Sequence, residues 1–177
     1  MDGMEHVGIV GTGLAGVRAA AELRAAGFTG KLTAWDAEDR EPYDRPPLTK
    51  SLFGERVRPL ASQGLGDLAG LGVRVVPEAA ASVELSPSGA LRVSGVAVDA
   101  AILATGAAPH RKMPGAHVVY TSDDAARLAA AIPHSASVRI AGAGWIGTEI
   151  ASAVASAGLP GPRVELWESS GHILGRS

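Results

Sequence analysis

The sequence predicts an α/β fold in which parallel strands are joined by helices, and three observations lead to this prediction. An apolar strand runs into a glycine-rich turn at Gly11–Gly16, and an alanine-rich helix and a second strand follow. The same order returns at Gly142–Gly147. Each copy ends in a short apolar strand closed by an acidic residue, at Trp35-Asp36 and at Trp167-Glu168. A strand–helix–strand unit of this kind places its two strands side by side in a parallel sheet.

Short apolar runs separated by glycine, proline and polar residues define the elements around the first turn. Gly27 ends the first helix because glycine readily adopts the left-handed conformation found after a helix C-terminus. A short helix is expected after Pro46-Pro47, and a small β-meander is expected at residues 82–98. The predicted strands and the longer helix are His6–Val10, Leu14–Ala26 (helix), Lys31–Trp35, Val73–Val76, Ser82–Leu85, Leu91–Ser94, Val96–Val98 and Ala100–Ala104, the last of them a buried strand.

A proline-bearing crossing between two domains is expected at Ala107–Gly115, which has no periodicity. We therefore place the first domain at residues 1–110 and the second at residues 111–177. A helix with Thr121 or Ser122 as its N-cap opens the second domain. The predicted elements are the helix Asp123–Ile132, the strand Val138–Ala141, the helix Ile146–Ala157 and the strand Val164–Trp167.

The glycine spacing G-x-G-x-x-G at both turns indicates sites for the phosphates of dinucleotides. The first glycine allows the tight turn from strand to helix, the second lets a pyrophosphate approach the backbone, and the third lets the helix pack close to the strand. The helix N-terminus then offers free N–H groups and the positive end of its dipole to the phosphates. The sequence therefore predicts two Rossmann-like units. Two dinucleotides in one chain suggest hydride transfer between a nicotinamide and a flavin.

An acid at the end of the second strand of such a unit binds the ribose hydroxyls, roughly 20 residues past the last glycine. Asp36 and Glu168 occupy these positions, and Glu38 competes with Asp36 for the role. The alternative for each is a solvated surface carboxylate. A carboxylate at Glu168 accepts the 2′-hydroxyl of NAD and repels the 2′-phosphate of NADP. We therefore predict that the second site prefers NADH.

Composition excludes several other functions. The 177 residues contain no cysteine, which excludes within them a disulfide framework, a cysteine-ligated metal and a redox-active cysteine pair. Sixteen basic and eighteen acidic residues give a net charge of −2 without a basic run, which argues against nucleic acid. No stretch approaches the ~18 apolar residues that span a membrane. The N-terminus has no signal-peptide layout, so we expect a cytoplasmic protein whose electron transfer runs through bound cofactors.

The segment between the two turns is the most specific stretch, and its sequence is Glu41-Pro42-Tyr43-Asp44-Arg45-Pro46-Pro47-Leu48-Thr49-Lys50. Its prolines restrict the backbone, so that Arg45 and Lys50 are held in defined positions. A rigid cationic loop after a nucleotide-binding unit could reach a flavin or its phosphates. The alternative is a proline-stiffened surface loop with solvated charges.

Taken in order, VGIVGTGLAG, AGF, PYDRPPLTK, AILATG and AGAGWIGTEIA resemble ferredoxin reductases of the putidaredoxin reductase type. These are FAD-dependent pyridine nucleotide oxidoreductases, relatives of rubredoxin reductase and apoptosis-inducing factor. The resemblance implies FAD on the first Rossmann-like unit and NAD(P)H on the second. It further implies electron transfer from NAD(P)H through FAD to a small iron–sulfur protein, such as a ferredoxin. The absence of cysteine separates the chain from relatives that keep a cysteine pair beside the flavin.

The resemblance also assigns roles to individual residues. Lys50 matches a family lysine that lies near the flavin N5, and Glu149 matches the glutamate that pairs with it. A lysine near N5 favours negative charge on the reduced flavin, and a carboxylate fixes the position of the lysine. FAD contacts are implied for Gly11, Gly13, Leu14, Ala15, Gly16, Asp36 or Glu38, Arg45, Lys50, Thr105 and Gly106. Nicotinamide cofactor contacts are implied for Gly142, Gly144, Trp145, Ile146, Gly147 and Glu168.

The chain departs from the family pattern at three positions. His110, followed by Arg111, stands where the family often has arginine after the proline of ATGxxP. Gly142-Ala143 replaces two consecutive glycines. Trp145 replaces phenylalanine, tyrosine or a smaller residue, and it either gates the nicotinamide or packs in the interior.

Family members are more than twice as long, so we expect two incomplete nucleotide-binding units and an edge of the strand Ala100–Ala104 that a later strand covers in the family. Two hypotheses follow. The chain is the N-terminal part of an FAD-dependent NADH:ferredoxin oxidoreductase, or it is a truncated, non-catalytic dinucleotide-binding paralogue or one half of a split reductase.

Overall fold

The computed structural model describes residues 3–65, 67–110, 113–160 and 162–174. Arg111, singled out above, lies outside these residues. The chain forms two compact units, one made of Met1–Asp44 and Pro59–Ala107 and the other of Arg45–Arg58 and Ala108–Ser177. The proline-bearing segment after Asp44 therefore belongs to the second unit although it interrupts the first in sequence. The boundary at residue 110 between two cofactor domains stays a prediction.

The first unit contains two sheets and one helix of three turns. Its elements are β1 (His6–Val10), α1 (Leu14–Ala25), β2 (Lys31–Trp35), β3 (Val73–Val76), β4 (Val83–Leu85), β5 (Leu91–Val93), β6 (Val96–Val98) and β7 (Ala100–Leu103). Four strands form a parallel sheet in the order β3-β2-β1-β7. The other sheet is antiparallel and has the order β4-β5-β6, which confirms the predicted meander.

Alternation of side chains along β1 builds the core on both faces of the parallel sheet. Val7 and Ile9 belong to a buried cluster that includes Val17 of α1. Val10 belongs instead to a second cluster, with Trp35 and with Val93 of the antiparallel sheet. The parallel sheet therefore lies between the helix and the antiparallel sheet. The glycine turn follows directly after the end of β1.

The prediction that the strand at Ala100–Ala104 is buried was wrong. The strand is parallel to β1 and forms the end of the sheet. Its side chains are partly exposed, and Leu103 is 66% exposed. The apolar composition suggested burial, but composition does not identify the neighbours of a strand. The expected uncovered edge of this strand is confirmed, because β1 is its only neighbour in the sheet among the described residues.

The second unit contains α2 (Pro47–Lys50), α3 (Ser122–Ala131), β8 (Ser137–Ala141), α4 (Trp145–Ser156) and β9 (Arg163–Trp167). The strands β8 and β9 pair in parallel, with Val138 opposite Val164. The N-cap of α3 is Thr121, so of the two predicted caps Thr121 is confirmed. Both units thus show the predicted Rossmann-like α/β architecture. In the described ranges no helix is both long and apolar enough to cross a membrane.

Candidate functional site

The first glycine of each turn adopts the same backbone conformation, with a positive φ. Gly11 and Gly142 both have φ of +102°, in a region that residues with a Cβ atom rarely adopt. A Cβ added to Gly11 would lie 2.3 Å from the carbonyl oxygen of Ala104, directly after β7. A Cβ added to Gly142 would meet no other atom of the described chain within 4 Å. The conformation requires glycine at both positions, and close packing adds a second reason only at Gly11.

The third glycine of each turn lets the helix approach the turn. A Cβ on Gly16 would lie 1.9 Å from the carbonyl oxygen of Gly11, and a Cβ on Gly147 would lie 2.0 Å from that of Gly142. Both positions are buried. Because the colliding atom is backbone, no side-chain rotation relieves the overlap, and the close approach of helix and strand depends on glycine.

The second glycine of each turn faces open space. Gly13 and Gly144 are the N-caps of α1 and α4, and a Cβ on either would have no neighbour within 4 Å among the described residues. Packing within the protein therefore does not account for glycine here. Close approach of a phosphate to the backbone does account for it. The residues present thus fit a dinucleotide at each turn.

The helix N-termini at the two turns differ from that of α3, which has a complete capping box. There the Thr121 hydroxyl accepts from the Asp124 N–H, and the Asp124 carboxylate accepts from the Thr121 N–H. Burial raises the pKa of Asp124, but hydrogen bonds from Thr121 and Arg127 outweigh burial and leave this pKa below its usual range. Neither α1 nor α4 has a capping side chain or an acidic residue in its first turn. Their terminal N–H groups and positive dipole ends are therefore available to an anion.

The first two residues of α1 and α4 are exposed at these helix starts. Leu14 is 49% exposed and Ala15 is also exposed, while Ile146 is 57% exposed. Trp145 is 73% exposed, so its alternative as an interior packing residue was wrong.

The two acidic candidates of the first unit have different partners. The buried Asp36 carboxylate accepts from the backbone N–H groups of Glu38 and Arg40, each at 3.3 Å. The Glu38 carboxylate accepts from the Tyr43 hydroxyl at 2.6 Å. Thr12 and Asp36 line a cavity of about 220 Å³. Asp36 therefore has a part in shaping the loop after β2, and Glu38 is held by Tyr43, a contact that the spacing argument missed.

Glu168 holds the second glycine turn to the strand that follows it. One carboxylate oxygen accepts from the Ser170 N–H at 2.8 Å, and the other accepts from the Ala143 N–H at 2.7 Å. These backbone bonds, with that of Ser170 the larger cause, lower the pKa of Glu168 to about 2. Each oxygen of an ionised carboxylate keeps a second lone pair. The carboxylate is therefore fixed at the turn, charged at neutral pH and able to accept from ribose hydroxyls.

The second unit contains a cavity of about 960 Å³ along the same turn. Gly142, Gly144 and Gly147 line it, together with Trp145 and Ile146. His110, which departs from the family pattern, lies on its wall as well. All predicted nicotinamide-cofactor residues except Glu168 therefore surround one cavity, and Glu168 is bonded to the turn that forms part of its wall.

Lys50 and Glu149, distant in sequence, are brought together by α2 and α4. The Lys50 Nζ lies 3.9 Å from one carboxylate oxygen of Glu149, and the lysine side chain is 62% exposed. The Thr49 hydroxyl donates to the other oxygen at 2.5 Å. The only sequence signal for Thr49 was its place beside Lys50 on the short helix expected after Pro46-Pro47. Nothing else distinguishes it from a structural threonine, and it was therefore missed.

The remaining candidates for contacts with FAD are Arg45, Thr105 and Gly106. Arg45 donates to the carbonyl oxygen of Tyr120, and its guanidinium carbon lies 4.5 Å from the centre of the Tyr120 ring. The backbone N of Thr105 would lie 3.3 Å from a Cβ on Gly11, so Thr105 adjoins the first turn. Gly106 has φ of +68°. Contacts of Arg45, Thr105 and Gly106 with FAD stay predictions.

Comparison with known proteins identifies relatives over nearly the whole chain. The p-cumate 2,3-dioxygenase system ferredoxin–NAD(+) reductase component of Pseudomonas putida is 35% identical over 96% of this chain and 44% of its own length. The ferredoxin reductase component of chlorobenzene dioxygenase from Cupriavidus sp. strain PS12 is 31% identical over 97% of this chain and 43% of its own. A crystal structure of the ferredoxin reductase for the CYP199A2 system from Rhodopseudomonas palustris matches with a TM-score of 0.77, 27% identity, and coverage of 96% and 44%.

The chain therefore spans less than half the length of these relatives. The family model of the pyridine nucleotide-disulphide oxidoreductases matches residues 5–177. Although the 177 residues contain no cysteine, this match and the two glycine turns show that the chain belongs to the pyridine nucleotide-disulphide oxidoreductase family, with ferredoxin reductases among its relatives.

Proposed function

We propose that this chain forms the cofactor-binding part of an FAD-dependent oxidoreductase that takes a hydride from NADH and passes electrons to a small iron–sulfur protein. The observation that carries the proposal is the repeated turn geometry, in which the second glycine faces open space at the N-terminus of an uncapped helix in both units. Two such sites in one chain suit two dinucleotides. The names of the relatives, which are ferredoxin reductases, support a ferredoxin-type acceptor.

Each glycine turn would hold one cofactor. In the first unit the backbone at Gly11, Gly13 and Gly16 would hold the FAD pyrophosphate, and Asp36 or Glu38 would accept from a ribose. In the second unit Gly144 and Gly147 would hold the pyrophosphate of NADH. Bound FAD would accept a hydride and give up electrons singly, which is chemistry that the protein side chains do not supply.

The side chains of the second unit would have separate roles. The Lys50 ammonium would stabilise negative charge that develops on the flavin, and Glu149 would restrict where the ammonium lies. Trp145, exposed on the wall of the cavity, would gate access of the nicotinamide.

Glu168 would determine the choice between NADH and NADPH. Its carboxylate is fixed at the turn by Ala143 and Ser170 and is ionised at neutral pH. It would accept from the 2′-hydroxyl of NADH and repel the 2′-phosphate of NADPH. Glu168→Arg should therefore raise the ratio of NADPH affinity to NADH affinity, measured by fluorescence titration. An unchanged ratio would contradict this role.

Flavin reduction tests the proposed function. The chain is loaded with FAD and mixed with NADH without oxygen, and loss of the oxidised flavin absorption is followed by stopped flow. We expect the wild type to be reduced, and Lys50→Ala to be reduced roughly tenfold more slowly because stabilisation of developing charge is lost. Lys31→Ala, which removes an exposed lysine from β2, is the matched control and should leave the rate unchanged. Cofactor binding without reduction would support the non-catalytic binding module instead.

A further inference from the structure

We infer that Thr49 is a positioning residue whose hydroxyl fixes the Glu149 carboxylate so that Glu149 can in turn hold Lys50. This inference rests on the proposed function, because positioning of Lys50 matters only where Lys50 acts on a cofactor. Thr49 contacts Glu149 and is not itself placed against a substrate.

The two contacts of the Glu149 carboxylate are unequal. The Lys50 ammonium lies 3.9 Å away at the end of a long side chain that is 62% exposed. A pair of this length between an exposed ammonium and a carboxylate is weak and costs side-chain entropy to maintain. The Thr49 hydroxyl lies 2.5 Å from the other oxygen. An O–H to carboxylate bond of this length is in the range of strong charge-assisted hydrogen bonds.

Burial and stiffness favour Thr49 as the residue that fixes the carboxylate. Thr49 is 6% exposed, and a β-branched side chain has few rotamers. The Pro46 carbonyl is a second acceptor for the hydroxyl, but it is 3.4 Å away. Because a hydroxyl has one hydrogen, it donates to the nearer acceptor, Glu149. Since the long Lys50 side chain is 62% exposed, it adapts to the carboxylate rather than orienting it.

The sequence places both donors on one short helix. Thr49 and Lys50 are consecutive in α2, which begins at Pro47 and packs on α4. One oxygen of Glu149 accepts from Thr49 and the other faces Lys50. Loss of the hydroxyl leaves the carboxylate free to rotate on its side chain, and Lys50 then loses its fixed partner.

Flavin reduction by NADH separates this role from a structural one. For Thr49→Val, which keeps the shape and removes the hydroxyl, we expect the limiting reduction rate to fall roughly tenfold while the apparent Kd for NADH stays within about twofold. Thr49→Ser restores the hydroxyl and should restore the rate. Thr33→Val is the matched control, because Thr33 is 5% exposed and its hydroxyl bonds to His6 in the first unit. An unchanged rate in Thr49→Val, or no recovery in Thr49→Ser, would overturn the inference.

A double-mutant cycle of thermal unfolding tests, independently of catalysis, whether Thr49 and Glu149 interact. Thr49→Val, Glu149→Ala and the double variant are compared with the wild type. We expect Thr49→Val to lower the midpoint temperature of unfolding in the wild-type background. In the Glu149→Ala background, its effect on the midpoint should be clearly smaller. Additive effects would overturn the inference even if the flavin is reduced. A wild type that is not reduced by NADH refutes the proposed function, while non-additive midpoints would still support the contact. Should Thr49→Val fail to fold, Thr49→Ala removes the same hydroxyl and has the same expectations.

Discussion

The two glycine turns have the same backbone geometry in different surroundings. Gly11 and Gly142 share a φ of +102°, and the close contacts of Gly16 and Gly147 agree within 0.1 Å. The first turn lies in a unit with a four-stranded sheet, and the second in a unit where β8 pairs with β9 alone among the described residues. The turn geometry is therefore determined by the local strand–glycine–helix sequence, and it does not depend on the size of the sheet.

The acids after the two turns are used differently despite their similar spacing. Asp36 accepts from backbone groups of the loop that follows it, whereas Glu168 accepts both from the following loop and from the glycine turn itself. Similar spacing therefore produced similar turns and different carboxylate partners. Such partners depend on the loop after the strand, which differs between the copies.

The largest expected difference between the turns is at their first glycines. Gly142→Ala should cost about 2 kcal/mol of unfolding free energy, because it forces an alanine into a left-handed conformation. Gly11→Ala should cost about 4 kcal/mol, because its Cβ would also overlap the Ala104 carbonyl. Native-state hydrogen exchange, resolved by unit, measures both values. Equal costs would show that the contact with Ala104 does not distinguish the turns.

The third glycines should behave alike. Gly16→Ala and Gly147→Ala each place a Cβ about 2 Å from a backbone oxygen, so each should cost about 3 kcal/mol in its own unit. Gly54→Ala is the control, because its Cβ would approach nothing closer than 3.8 Å. The same hydrogen-exchange experiment applies. A loss confined to one of the two units would mean that the turns are not equivalent.

The smallest expected effect concerns acid stability of the second turn. The folded-state pKa of Glu168 is about 2 and the ordinary value is 4.5, so its contribution is present above about pH 4.5 and is lost as the pH falls toward 2. Glu168→Gln should therefore make unfolding less dependent on pH in this window. Urea unfolding at pH 6 and pH 3 measures the difference. An unchanged pH dependence would show that the ionised Glu168 carboxylate does not stabilise the fold.

Sequence reasoning succeeded where structure is determined locally. The strands His6–Val10 and Lys31–Trp35 were predicted to the residue, and Thr121 was one of two predicted caps. Apolar runs, turn glycines and capping residues act within a few positions of one another, so sequence is sufficient to locate them.

The failures of sequence reasoning involve contacts between distant segments. The exposure of Leu103 follows from the place of β7 at the end of the sheet, and the bond from Thr49 to Glu149 follows from the packing of α2 on α4. Neither can be deduced from periodicity or spacing. The pairing of Lys50 with Glu149 was found only through the family resemblance, because nothing in the local sequence links a lysine of α2 to a glutamate of α4.

Substitution of the second glycines tests whether the two turns hold different dinucleotides. Gly13→Ala and Gly144→Ala introduce a methyl group into open space, so each should fold like the wild type. Each variant is titrated with FAD and, separately, with NADH, and the two Kd values are compared with those of the wild type. We expect Gly13→Ala to weaken FAD binding roughly tenfold or more and to leave NADH binding unchanged, and Gly144→Ala to do the reverse. If either variant weakens the binding of both cofactors equally, or if neither variant weakens the binding of any cofactor, the two turns do not hold different dinucleotides.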